Sequence, residues 1–167
     1  RHRGPDEQRE WSNGEVSIGF TRLAINGAGA EAAQPYQFEG MVGAVNGEIF
    51  NHRELAQEFG LSRVDCDARV FLPLLQQRGE RVVDDLDGFY AALAFRPSSG
   101  ELLCLRDHIG KKPLFLGRSG SELFIASELK IFDQVDCFEL LPRGICRVDL
   151  ETGRVEPRAS RAAVRPQ

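Results

Sequence analysis

The stretch MVGAVNGEIFNHRELAQEFG, residues 41–60, decides the fold. Met41 to Val45 is a short apolar run of the kind that forms a buried strand, and it passes straight into the polar residues Asn46-Gly47. His52 to Phe59 then reads as a helix that Gly60 stops. Downstream, Asp67 stands where an N-cap would, and the spacing of Val70, Phe71, Leu74 and Leu75 predicts a second helix with one apolar face, closed by Gly79. From Gly88 the pattern changes to hairpins. Phe89–Phe95 and Leu102–Leu105 flank the turn Pro97-Ser98-Ser99-Gly100; Pro113–Leu116 and Leu123–Ala126 flank Arg118-Ser119-Gly120; Gly144–Leu150 pairs with residues after Thr152-Gly153. Upstream, residues 1–14 are polar and turn-rich and read as loop leading into a strand at Val16–Phe20, and Asn26–Gln34 again has loop composition. Strands, then two helices, then a run of hairpins argue for an α+β fold with antiparallel sheets rather than alternating βαβ units. Residues 1–156 are expected to form the domain, and the arginine-bearing tail from Pro157 to Gln167 reads as a linker or a frayed, disordered terminus.

The 167 residues are enough for one domain with its own core. Apolar residues make up 42% and charged residues 28% of the chain, which puts it among ordinary globular proteins. A formal net charge of -4 gives no electrostatic case for nucleic acid or an anionic membrane as partner. No apolar run approaches the roughly 20 residues of a membrane-spanning helix. The four cysteines, Cys66, Cys104, Cys137 and Cys146, lack C-x-x-C pairing and read as reduced thiols, which points to the cytoplasm and away from a zinc site. The chain opens on Arg1 and holds one methionine, Met41, so a fragment or a processed chain is expected.

Three positions carry chemistry: Arg22 after a strand, Asn46-Gly47-Glu48 at the end of another, and Asp67 at the start of a helix. A guanidinium fork matches a carboxylate, an aspartate matches an ammonium, and the Asn46 amide with the Gly47 N–H are neutral donors of the kind that stabilise an oxyanion. Together they suit an α-amino acid with a reactive side-chain carbonyl. Each also has a plainer reading: Asn-Gly as a hairpin turn, Asp67 as a helix cap, Arg22 in a surface ion pair.

RHRGPD at 1–6, TRLAI at 21–25, QP at 34–35, AVNGEIFNHRELAQEFG at 44–60, RDHIGKKPLF at 106–115 and ASELK at 126–130 closely resemble, in order and rough spacing, the glutaminase domain of glutamine-hydrolysing asparagine synthetases. The resemblance covers nearly the whole chain. It implies an N-terminal-nucleophile hydrolase, a four-layer αββα sandwich of antiparallel sheets, here expected to lack its first strand. It also implies a class II amidotransferase chemistry. An amino-terminal cysteine attacks the glutamine side chain, its α-amino group shuttles the proton, and ammonia leaves a thioester that water hydrolyses. The family's oxyanion hole falls on Asn46 and Gly47. Its glutamine-binding positions fall on Arg22, Leu23, Ala24 and Ile25, with Asn26 next, and on Glu48 and Asp67. A C-terminal adenylating synthetase domain, in cis or in trans, would receive the ammonia. ATP and magnesium are expected only there, and no cofactor in this domain. The Ser-Gly-Gly run of the synthetase ATP site is absent, and RDHIGKKPLF lacks the Walker spacing and reads as a turn between strands.

The sequence departs from the family in three places. The nucleophile is expected ahead of Arg1, so the 167 residues alone should not hydrolyse glutamine. Phe20 stands where many relatives have histidine, and Arg69 where they have glutamate. Among internal groups, Cys66 is the one cysteine beside the candidate site, with nothing assigned to activate it; His2, His52 and His108 read as structural. The second reading of the chain is a catalytically silent amidotransferase-like scaffold of a different amide-forming synthetase.

Overall fold

The computed structural model describes residues 4, 6–22, 32–61, 64, 66–132 and 135–158. Its centre is a six-stranded sheet in which β3 (Tyr36–Phe38), β4 (Met41–Ile49), β5 (Gly88–Arg96), β6 (Glu101–Arg106), β10 (Gly144–Val148) and β11 (Val155–Arg158) lie in the order β11-β10-β6-β5-β4-β3. Every pairing is antiparallel. The two-residue period of each strand divides its side chains between two cores. Met41, Val45, Ile49, Tyr90, Ala92, Leu105 and Ile145 face one way, against Leu55 of α1 (His52–Glu58), Phe71, Leu72, Leu74 and Leu75 of α2 (Phe71–Arg78), and Val82 and Val83 of α3 (Val82–Asp85). Val42, Ala44, Ala91, Phe95, Cys104 and Cys146 face the other way. They pack on Ile18 of β2 (Ser17–Arg22) and Leu116 of β7 (Phe115–Ser119), which lies between β8 (Glu122–Ala126) and β9 (Cys137–Leu140) in a three-stranded sheet. Among the described residues the layers therefore run helices, large sheet, smaller sheets, three layers of the expected sandwich. No helix among them is long and apolar enough to cross a membrane.

Four expectations need correction. Residues 7–12 are not loop but β1 (Glu7–Ser12), which among the described residues pairs with β2 alone. Its Glu-Gln-Arg-Glu run hides it, because a strand of a two-stranded ribbon buries too little to alternate. The turn is built by side chains, with Asn13 Oδ1 accepting from Glu15 N–H and Val16 N–H. Asn46-Gly47 is not a hairpin turn: β4 runs through it to Ile49, paired with β5. Asp67 does not cap a helix; it is the first residue of a 3₁₀ turn, Asp67–Val70, that leads into α2, and its carboxylate is used elsewhere. The hairpin expected to turn at Arg118-Ser119-Gly120 turns at Gly120-Ser121, with Ser119 opposite Glu122. Two short strands, β3 and β9, had no sequence signal, and β11 continues through Arg158, past the change of character read at Pro157.

The joint between the 3₁₀ turn and α2 is fastened by a side chain from β3. The Tyr36 hydroxyl donates to Ala68 O at 2.7 Å and accepts from Leu72 N–H at 3.1 Å, one of the donors a helix leaves without an intrahelical partner. Tyr36→Phe keeps the ring and removes both bonds inside a buried region. It should cost about 1–3 kcal/mol in urea unfolding, and an unchanged midpoint would contradict this role.

Candidate functional site

The site is best described from the outer edge of β4. Along its first half that edge pairs with β3, Phe38 with Met41 and Tyr36 with Gly43. Beyond Gly43 no strand continues the ladder among the described residues, and side chains take over. Gln34, buried to 8% exposure, accepts from Val45 N–H through Oε1 at 2.6 Å and donates from Nε2 to Val45 O at 3.1 Å, so its amide replaces one peptide unit of a neighbouring strand. Two positions on from Gly47, Ile49 N–H donates to Asp67 Oδ2 at 2.9 Å. The period that turns Val45 and Ile49 toward this edge puts Gly47 there as well, between the two side-chain clamps. On the opposite side of the ladder the register agrees: Tyr90, the partner of Gly47, directs its N–H to Asp107 Oδ2 and its carbonyl to Asp107 N–H, away from β4.

Gly47 has φ +146°, and a Cβ there would lie 2.0 Å from Phe89 O; Gly88 repeats the arrangement across the ladder, at φ +153° and 2.1 Å from Glu48 O. Only glycine fits both places, and the backbones of β4 and β5 approach closely because of it. Asn46 is half-buried and Glu48 exposed beside it.

Asp67 is buried at the corner next to Cys66, whose thiol lies 3.8 Å from Asp67 Oδ1. Burial pushes the Cys66 thiol up and the neighbouring Asp67 charge adds to it, against the Ala68 N–H and the charges of Arg69 and Arg22. Arg22 itself closes β2. Its guanidinium, nearly buried, reaches the Glu7 carboxylate at 3.4 Å across the β1–β2 ribbon. Leu23, Ala24, Ile25 and Asn26 lie outside the described residues, as does His2.

Of the remaining residues singled out in the sequence, His52 Nδ1 is 2.9 Å from Ile49 O, and His108 is exposed in the loop after β6. Phe20 packs partly on the second core. Arg69, the departure in charge, lies over the Tyr36 ring at 4.5 Å and reaches Ala33 O at 3.4 Å. Cys104 and Cys146 are buried cross-strand neighbours, and burial pushes both thiols up; Cys137 is exposed on β9.

RDHIGKKPLF is a loop framework hung on two buried side chains, Arg106 and Asp107. Arg106 donates to Lys112 O, Leu141 O and Gly110 O at 3.0, 2.6 and 3.0 Å. The Asp107 carboxylate accepts from the N–H groups of Tyr90, Ile109, Gly110, Lys111 and Lys112. Burial pushes this carboxyl up, but the N–H donors of Lys111, Lys112, Gly110 and Tyr90 outweigh it and hold it below the ordinary carboxylate range. Sequence reasoning passed over Gln34, Tyr36 and Asp107. The motifs QP and RDHIGKKPLF contained the first and last of them, but nothing local announces that a polar side chain is buried.

The architecture is that of an N-terminal-nucleophile amidotransferase fold. A family profile described as glutamine amidotransferase domain matches residues 1–143, and the chain belongs to that family. Asparagine synthetase B (glutamine-hydrolyzing) of Escherichia coli K12 is 36% identical over 135 residues, covering 78% of this chain and 24% of the relative. A glutamine-hydrolyzing asparagine synthetase of Lotus japonicus is 36% identical over 150 residues, covering 86% of this chain and 25% of the relative. The chain thus spans about a quarter of the length of these curated relatives. Among solved structures, the glutamine phosphoribosylpyrophosphate amidotransferase of Bacillus subtilis superposes with a TM-score of 0.70 at 25% identity, over 84% of this chain and 34% of that one.

Proposed function

We propose that this domain binds L-glutamine at the Gly47 edge of β4 and supplies the ammonia released from it to an asparagine-forming synthetase domain, in cis or in trans. The observation that carries the reading is the pair of clamps at Val45 and Ile49, which hold the strand segment 46–48 from outside while leaving Gly47 between them at the edge. In this reading the substrate carbonyl oxygen sits against the Asn46 amide and the Gly47 N–H. As a thiolate adds to the carbonyl carbon, these neutral donors meet the negative charge as it develops, without needing to reorganise. The substrate carboxylate takes the Arg22 guanidinium in the manner in which Glu7 now does. Asp67 Oδ2 is committed to Ile49, so the substrate ammonium is assigned to Oδ1. Leu23, Ala24, Ile25, Asn26 and Glu48 complete the contacts.

The nucleophile is not assigned to Cys66, because burial pushes its thiol up, away from the thiolate. The reading calls for the amino-terminal cysteine of the family. The domain takes no cofactor of its own, with ATP and magnesium belonging to the synthetase. Four free cysteines suit a reducing compartment, the cytoplasm.

Ammonia release from L-glutamine by the full-length protein that carries this domain is the test. Arg22→Ala should raise KM for glutamine at least about tenfold, because a charge-assisted contact to the carboxylate is lost, while Cys66→Ala should leave both kinetic parameters within about twofold. A folded protein that releases no ammonia from glutamine would sink the reading in favour of a silent scaffold. Activity abolished by Cys66→Ala would move the nucleophile to that residue.

A further inference from the structure

We propose that Gln34 is a positioning residue for the oxyanion donors, an assignment that rests on the reading of the Gly47 edge given above. Its two hydrogen bonds go to Val45, the residue that leads into Asn46, and not to any of the groups assigned to the substrate. Nε2 donates to Val45 O, the oxygen of the Val45–Asn46 peptide bond, at 3.1 Å, and Oε1 accepts from Val45 N–H, the hydrogen of the Ala44–Val45 peptide bond, at 2.6 Å. The two bonds hold the two peptide planes that meet at the Val45 Cα, Ala44–Val45 through its N–H and Val45–Asn46 through its oxygen, so neither turns freely; the second plane sets the direction in which the chain enters Asn46, and through Asn46 the direction of the Gly47 N–H one plane further on. The far end of the same segment is held at Ile49 by Asp67. Between the clamps lie the three residues assigned to the substrate, Asn46, Gly47 and Glu48.

The residues next to Gln34 tie this grip to the other half of the site. Two positions along, the Tyr36 hydroxyl bonds Ala68 O and Leu72 N–H, the joint that carries Asp67, and Arg69 folds back over the Tyr36 ring onto Ala33 O. The segment 33–36 thus fixes the oxyanion strand through Gln34 and the Asp67 turn through Tyr36, and sets the distance between the donors and the Asp67 carboxylate. An ordinary β-strand in its place would bond along the whole edge and cover Gly47; a single side-chain amide bonds one residue and leaves the next position on the edge uncovered.

Gln34→Glu discriminates. The carboxylate still accepts from Val45 N–H but repels Val45 O; once protonated, its O–H donates to that oxygen and restores the original pattern. Burial raises a glutamate from its ordinary value of about 4.3, so the protonated form becomes reachable as pH is lowered from about 8 toward about 6. In the full-length protein, kcat for glutamine hydrolysis per folded molecule should fall at least about tenfold at pH 8 with KM within about twofold, since donors aimed at the developing oxyanion act on the transition state more than on the bound substrate. The ratio of variant to wild-type kcat should then rise as pH falls. A loss of structure alone gives no such recovery once rates are referred to the folded fraction measured by circular dichroism. Should Gln34→Glu not fold, Gln34→Met, similar in length and volume and lacking both bonds, is read for the same split at a single pH. Wild-type ammonia release that both folded variants leave unaltered overturns the proposal alone. A folded wild type that releases none overturns the site reading and this proposal with it.

Discussion

Gly47→Ala is expected to destabilise the domain by at least about 3 kcal/mol and to lower its melting temperature by roughly 10 °C, while Gly19→Ala leaves both nearly unchanged. At Gly47 the added methyl would stand 2.0 Å from Phe89 O and 2.7 Å from Tyr90 Cα, both backbone atoms of the adjacent strand, so no rotamer change can relieve it. The backbone is also at φ +146°, which a side chain resists. The ladder must open between β4 and β5, and Gly88, which meets Glu48 O in the same way, opens with it. Gly19 provides the control: it lies in β2, nothing is within 4 Å of its Cβ position, and its φ is not positive. Thermal unfolding of the two variants side by side measures the difference. A Gly47→Ala protein that melts with the wild type would mean that the strands do not approach as closely as described.

Asp107→Asn should cost about 3–5 kcal/mol, because its carboxylate is almost wholly buried and accepts five backbone N–H groups. An amide of the same size presents a donor on one side. Whichever way it is turned, at least two of those N–H groups lose their acceptor: Oδ2 serves two and Oδ1 three. The pH dependence carries a sign. The folded carboxyl titrates below its ordinary value, so the folded state favours the ionised form. That contribution is complete above the ordinary value and is lost as pH falls through the folded one. The gap in urea midpoint between wild type and Asp107→Asn should therefore narrow as pH drops below about 4. A gap of constant size from neutral pH into acid would show that the carboxylate charge has no part in holding the loop.

The portions of the fold legible in the sequence were those whose cause is local. The helix at 52–58 has its stop in Gly60, and the β5–β6 hairpin has its turn in Pro97–Gly100, as the structure finds them. Where local and distant causes compete, the distant one prevailed. Asn-Gly is a turn signal in isolation, but Gly47 is opposite Tyr90 in a ladder that Gly88 allows to close, and β4 continues through it. Aspartate before a helix is a cap in isolation, but Asp67 finds Ile49 N–H, distant in sequence and near in space. The candidate site was legible as a set of residue types, Arg22, Asn46, Gly47, Glu48 and Asp67, and through the family resemblance. Its supports were not legible. Gln34 and Asp107 sit in polar or mixed stretches, and their burial is a property of strands that the chain brings alongside from elsewhere. Nor did the sequence announce Glu7 as the carboxylate that Arg22 meets, since β1 itself was hidden.

The side-chain latches on β4 also bear on which molecules the edge admits. An uncovered strand edge is a template for any extended polypeptide, and recruitment of another chain by backbone pairing is the usual route from such an edge to aggregation. Pairing of that kind needs at least two consecutive rungs. Among the described residues, with one rung filled at Val45 by Gln34 and another at Ile49 by Asp67, a visiting strand finds at most a single rung at Gly47 and has nothing to extend along. A small molecule with one carbonyl needs no more than that. If glutamine binds at this edge as proposed, the same two side chains that hold the segment in shape also act as a filter by size of ligand, leaving room for one carbonyl and none for a second strand to extend.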